Sequence, residues 1–205
     1  MSIEWMAIRG SGLIAYALLA GSTIWGLLIS TKVLGRAVKA KPVAWFHESL
    51  AIGSLVATGV HMYFLFNHDF IDFGYRSLLV PGASAWRPLP VALGIVAFYM
   101  VFVITVSFYV KKWICQNAWR IIHMASFGTF VAAALHGVFS GTDTANAVVV
   151  TMYVSSLAMV TLLMIIRIAQ SAAPPARAAA KRPVRSAAAA SASVQPPEPA
   201  EAPAN

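Results

Sequence analysis

A single cysteine in 205 residues, Cys115, excludes an intrachain disulfide and an iron–sulfur cluster held by cysteine. Any redox centre must be held by other ligands, and the five histidines are the available ones. Charge is also scarce: Asp, Glu, Lys and Arg together make up 11% of the chain, against 59% hydrophobic residues. That is far from the balance of a soluble domain, and it describes a membrane protein. The cations outnumber the anions, for a net charge of +8, which on a soluble fold could point to nucleic acid. Here they form no basic stripe but stand between apolar runs, so they report topology and not a polyanionic partner.

What is present is a series of long apolar runs. Residues 10–31 are uncharged and follow a short mixed segment in which Trp5 suits a membrane interface. The basic cluster Lys32, Arg36, Lys39 and Lys41 comes after this run and not before it, so it is expected to be a retained helix, not a signal peptide. Pro42 fits the first turn of a second helix, 43–66. The connection 67–88 holds the breakers Pro81, Gly82 and Pro88 around an aromatic, weakly amphipathic middle that suits a membrane surface. Further helices are expected at 89–110, 117–140 and 145–166, ending near Lys111 and Lys112, at the turn GTDTAN and at Arg167. The fold class is therefore all-α, a polytopic bundle of about five transmembrane helices over residues 1–169. Residues 170–205, rich in Ala, Pro and Ser, cannot bury enough apolar surface to fold and are expected to form a disordered cytoplasmic tail.

All the lysines and arginines except Arg9, Arg76 and Arg87 fall in the first and third connections, their flanks and the tail. The positive-inside bias then puts the N-terminus outside and the tail in the cytoplasm, with Trp45, Trp113 and Trp119 in the inner aromatic belt.

An ionisable side chain inside a bilayer is costly and reads as functional, with a partner to be named. Two of the expected helices carry two histidines each: His47 and His61 stand fourteen residues apart, His123 and His136 thirteen. At about 1.5 Å per residue these steps become roughly 20 Å along each helix. Two parallel helices of this kind offer two stacked pairs, His47 with His123 and His61 with His136. Neutral imidazole is a good iron ligand, and one from each helix fills both axial positions of a haem, so four histidines suggest a two-haem electron path. A fourteen-residue step returns within about 40° of its starting direction, and Ala51, Ser54, Ala57 and Thr58 along that stripe leave room for a flat ring. The same small residues also suit close helix packing. A thirteen-residue step leaves its two histidines about 140° apart on an ideal helix, so the helix should be distorted between them, with Gly128 the expected place.

Other residues carry weaker readings. His68, in NHD beyond the second helix, reads as an exposed interfacial residue. Glu48, beside His47, could orient it or simply reach the interface. Arg36, Lys39 and Arg120 on the inner side, and Arg76 and Arg87 on the outer, are candidates to meet haem propionates, although topology already accounts for them. Cys115 reads as an inert cytosolic thiol.

The paired histidines, together with LVPGASAWRPLPVALG at 79–94, AWRIIHMASFGTF at 118–130 and LHGVFSGTD at 135–143, resemble the ferric reductase-like transmembrane domain family. That superfamily includes NADPH oxidases, metalloreductases and the bacterial membrane cytochrome serving periplasmic methionine sulfoxide reductase. The resemblance spans about residues 9–168. It implies b-type haems held by His47, His61, His123 and His136, and electrons passed across a bacterial inner membrane. Larger relatives carry a cytosolic flavin and nicotinamide domain after the last helix, where this chain has only its tail, and many have six spans. A bare module of this kind borrows its donor, a flavoprotein or a membrane quinol, and delivers electrons to an outer-side acceptor. The other readings are a cytochrome subunit of a larger respiratory or photosynthetic complex, a metal-ion transporter with a histidine-lined path, and a purely structural subunit.

Overall fold

A membrane interior supplies no water to satisfy backbone N–H and C=O groups, so apolar segments that cross it close their hydrogen bonds within themselves. In the computed structural model, which describes residues 3–33, 40–68 and 73–172, every regular element among the described residues is a helix. In chain order they are α1 (Ile3–Thr31), α2 (Ala40–Phe66), α3 (Tyr75–Leu79), α4 (Pro88–Tyr109), α5 (Gln116–Met124), α6 (Ser126–Ser140) and α7 (Ala147–Ala172). Five spans are long and apolar enough to cross a bilayer, α5 and α6 together making one, Gln116–Ser140. The expected all-α, five-span, multi-pass membrane architecture is therefore what the chain adopts. The chain divides into two units, Met1–Arg167 and Ile168–Asn205, and the packing described below is that of the first. Residues 173–205 of the expected tail lie outside the described residues, as do Arg36 and Lys39.

The elements differ from expectation at their ends. Helix α1 begins at Ile3 and not near residue 10, because Glu4 in its first turn complements the helix dipole and the charge of Arg9 is met by Asp143. Pro42 falls in the first turn of α2, where helical N–H groups have no partner to lose. Helix α7 runs past Arg167 to Ala172. In the connection between α2 and α4, Phe73 and Leu78 of the α3 region are buried against Val91, Ile95, Met62 and Leu65, which ties that segment to the bundle.

Within the bundle α1 packs along α2 and α4 along α6, while α1 also touches α6 and α2 touches α4. The core is small and central: Tyr16, Ala20 and Leu27 of α1 meet Phe130 and Ala134 of α6 and Tyr153, Val160 and Leu163 of α7. Large apolar side chains such as Val103, Leu135 and Ile165 stay exposed on the outside, as a lipid solvent permits. Several buried hydroxyls bond a carbonyl of their own helix, Thr23 to Leu19, Thr31 to Leu27 and Ser54 to Ala51, so small polar residues at the interfaces carry no unsatisfied group.

Candidate functional site

Histidines 47 and 61 lie on α2, with α1 running alongside. A helical carbonyl at position i already accepts the N–H of residue i+4 but keeps a second lone pair. The side chain at i+4 leans back toward the helix N-terminus and normally covers that lone pair. Glycine at i+4 uncovers it. His61 Nδ1 lies 2.8 Å from the Ile8 carbonyl oxygen, and a Cβ on Gly12, four residues on, would stand 3.1 Å from the same imidazole. His47 Nδ1 lies 2.9 Å from the Ser22 carbonyl, and a Cβ on Gly26 would stand 3.0 Å from its Cε1. His136 of α6 repeats the arrangement on α4: Nδ1 is 2.9 Å from the Pro90 carbonyl, and a Cβ on Gly94 would fall 2.6 Å from Nδ1.

A carbonyl oxygen can only accept, so in all three rings Nδ1 carries the proton and donates it. Nε2 keeps its lone pair and, of the two nitrogens, lies farther from the supporting glycine. Ser22 adds its hydroxyl 3.2 Å from His47 Nδ1, and Ser140 places its own 3.4 Å from His136 Nδ1. Three half-buried imidazoles are thus held in one tautomer and one orientation by main-chain groups.

His123 is held differently. Among the described residues its ring makes no hydrogen bond; instead it stacks on Trp119, one turn earlier on α5, with centroids 5.2 Å apart and planes 16° from parallel. Two residues after His123 the span breaks at Ala125, three residues before the expected Gly128. There the Ala125 N–H is shared between the Ile121 and Ile122 carbonyls, tightening the turn, while the Ala125 carbonyl accepts both the N–H and the hydroxyl of Thr129, at 3.0 and 2.9 Å. A Cβ on Gly128 would meet nothing, so that glycine serves no close approach.

The resulting geometry brings the histidines together in twos. His47 and His123 face each other across the bundle with ring centroids 6.1 Å apart and planes 72° apart. His61 and His136 line a common cavity of about 230 Å³, with Gly12, Tyr16, Ser54, Thr58, Gly94 and Gly137 among its walls. Between the two levels sit Tyr16, Phe130 and Tyr153, the first two 6.0 Å apart, with the Tyr16 hydroxyl hydrogen-bonded to Ser156 at 2.7 Å. No protein-family model, curated protein or solved structure matches this chain.

The weaker candidates have other contacts. His68 packs against the Trp5 ring at 5.5 Å. Glu48 accepts a hydrogen bond from the Tyr109 hydroxyl. Arg87 donates to the Phe139 carbonyl and lies beside the Trp86 ring, while Arg76, Arg120 and Cys115 are exposed. Three groups of residues carry more of the site than the sequence reading assigned: the glycines 12, 26 and 94, the stacking Trp119, and the ion pair of Arg9 with Asp143 on the wall of the His61 cavity. One of these was available as a signal, because Gly12 and Gly26 are fourteen residues apart, the same step that separates His47 from His61 on the antiparallel neighbour.

Proposed function

We propose that this chain carries electrons across a membrane through two b-type haems, one ligated by His47 and His123 and the other by His61 and His136. The observation that carries the reading is the orientation of the imidazoles: Nδ1–H bonded to a backbone carbonyl is the arrangement that fixes the tautomer and raises the basicity of a metal-binding histidine, leaving Nε2 as the donor. The separation of one pair supports it independently. Two metal–imidazole bonds of about 2 Å each, with the ring radii added, bring ring centroids to about 6 Å, and His47 and His123 stand at 6.1 Å. The donor number agrees as well. Among the described residues no three His, Cys, Asp or Glu side chains converge as a metal-ion cage requires, and two nitrogens are what a planar tetrapyrrole leaves to the protein.

When bound, haem supplies a one-electron couple, and two imidazoles leave its iron no open position for a substrate. The chain's own part is to fix four nitrogens at two depths. On α2 these lie fourteen residues apart, roughly 20 Å along the axis, which divides a membrane crossing into shorter steps.

The resemblance to the ferric reductase-like transmembrane domain family supports the same function. The same resemblance supports a bacterial inner-membrane protein, and the distribution of lysine and arginine supports an orientation with the His47 level toward the cytoplasm and the His61 level toward the outside. Electrons then enter from a flavoprotein or a quinol and leave to an outer-side acceptor or partner protein. Haem per chain, measured on purified protein as the pyridine haemochrome, tests the reading: two are expected in the wild type and one each in His61→Ala and His123→Ala. Equal haem in all three, or none, contradicts it.

A further inference from the structure

The arginines at the two levels are used differently. Arg9, near His61, is paired with Asp143, and Arg87 donates to the Phe139 carbonyl. Among the described residues Arg167, on the last turns of α7 within the first unit, contacts neutral groups: the Ser30 hydroxyl at 3.4 Å, the Met124 sulfur at 3.8 Å and the Phe127 ring at 6.0 Å. Among the described residues no carboxylate pairs with it. A guanidinium at the end of a membrane span reaches toward anions at the interface, and with no carboxylate of the described residues beside it Arg167 can take an anionic partner.

A second group nearby has the same deficit. The indole Nε1 of Trp119 is shut away from solvent and is the one buried side-chain nitrogen or oxygen among the described residues with no hydrogen-bond partner. A buried N–H without an acceptor costs free energy, and in a native fold it calls for a partner not yet accounted for. Both groups lie at the end of the span that carries His123, since Trp119 stacks on His123 and Arg167 reaches Met124, the next residue in the chain.

We infer that Trp119 and Arg167 form a carboxylate-binding subsite beside His123, whose ligand is a propionate of the haem held at the His47–His123 level. This rests on the haem reading above and extends it to residues that the sequence did not single out for this role. A guanidinium offers charge-assisted, paired donors suited to a carboxylate, and the indole adds one neutral donor. Neither covalent change nor electron transfer is required of the two residues. They hold the acid group and place a positive charge near the iron, which favours the reduced state.

The test uses the purified full-length protein in phosphatidylcholine nanodiscs, with Arg167→Gln and Trp119→Phe, the latter keeping an aromatic ring against His123 while removing the N–H. His136→Ala, retaining the His47–His123 haem alone, identifies which midpoint belongs to which level. Both variants should keep two haems per chain. Optical redox titration should show the His47–His123 haem shifted toward the ferric state by about tenfold in Arg167→Gln, equivalent to about 59 mV for one electron. Trp119→Phe should shift it less, in the same direction, and the other haem should not move. Arg120→Gln, removing an exposed cation of α5, should shift neither. Unchanged midpoints in both variants, with two haems present, overturn the subsite and leave the haem reading standing. A shift that appears only when the nanodiscs contain anionic lipid overturns it too, by making a lipid phosphate the occupant. A wild type without haem overturns both.

Discussion

At the His61–His136 level each imidazole rests on a glycine of a neighbouring helix and donates to the carbonyl four residues before it. At the His47–His123 level only His47 is held in this way, and its partner leans on an indole one turn before a break in its own helix. The first arrangement fixes both ligands by main-chain atoms that cannot rotate. The second fixes one and leaves the other to side-chain packing. Two sites made from the same pair of residue types therefore need not behave alike, because the groups behind the ligands decide how firmly each nitrogen is aimed. If the levels hold the proposed haems, two strengthened imidazoles favour ferric iron, so the His61–His136 haem should have the lower midpoint, and the proposed role of Arg167 would widen the gap from the other side.

The comparison can be broken most severely at Gly94, where an added Cβ falls 2.6 Å from His136 Nδ1. Gly94→Val should remove the haem of the His61–His136 level, lowering pyridine haemochrome from two per chain to one, while the other haem keeps its spectrum. Next come Gly26→Ala and Gly12→Ala, whose Cβ atoms meet His47 and His61 at 3.0 and 3.1 Å, distances the imidazole can relieve by moving slightly. Both haems should stay bound, with Gly26→Ala altering the low-spin signal of one level alone and Gly12→Ala that of the other. Equal disturbance of both levels by either variant would show that the glycines act through general packing and not as seats for the rings.

A smaller effect is expected from Asp143→Asn. Its ion pair with Arg9 is mostly buried, with side chains 27% and 15% exposed for Arg9 and Asp143. Loss of the pair should cost on the order of 1–3 kcal/mol, between the surface and the buried limits. Thermal unfolding of the purified protein should register this without a change in haem content. The smallest effect belongs to Glu48→Gln. Glu48 binds the exposed Tyr109 hydroxyl, so its loss should leave both haem signals and the melting temperature where they were. A displaced signal at the His47 level would instead give Glu48 a part in orienting its neighbour.

Much of this structure could be read from the chain because bilayer chemistry makes apolar length a direct sign of a helix. The five spans follow from it, and Pro42 and Pro88 mark two of their starts. The nearness of His47 to His123, and the cavity shared by His61 and His136, agree with the fourteen- and thirteen-residue steps. The break needed by the shorter step was legible in kind but not in place, since glycine marks permission to bend, whereas the helix is interrupted at Ala125, whose N–H is shared between the Ile121 and Ile122 carbonyls. The seats for the imidazoles were not read, because they depend on which carbonyl of a different helix lies opposite each ring. A glycine in a membrane helix has many uses, and only the register of α1 against α2 distinguishes Gly12 and Gly26 from Gly10 and Gly21. The start of α1 was misplaced for a related reason: Arg9 looks like a stop in one dimension, yet Asp143 meets its charge in three, while α7 runs on past Arg167 to Ala172.

The central claim is that imidazoles from α2 and from the α5–α6 span meet in twos, at separate depths, to ligate iron. Low-temperature electron paramagnetic resonance of the oxidised, purified protein tests it most directly. The account predicts two distinct low-spin ferric signals of bis-imidazole type, present in equal amounts. High-spin ferric iron as the main species, a single signal accounting for all the iron, or protein without haem would contradict it.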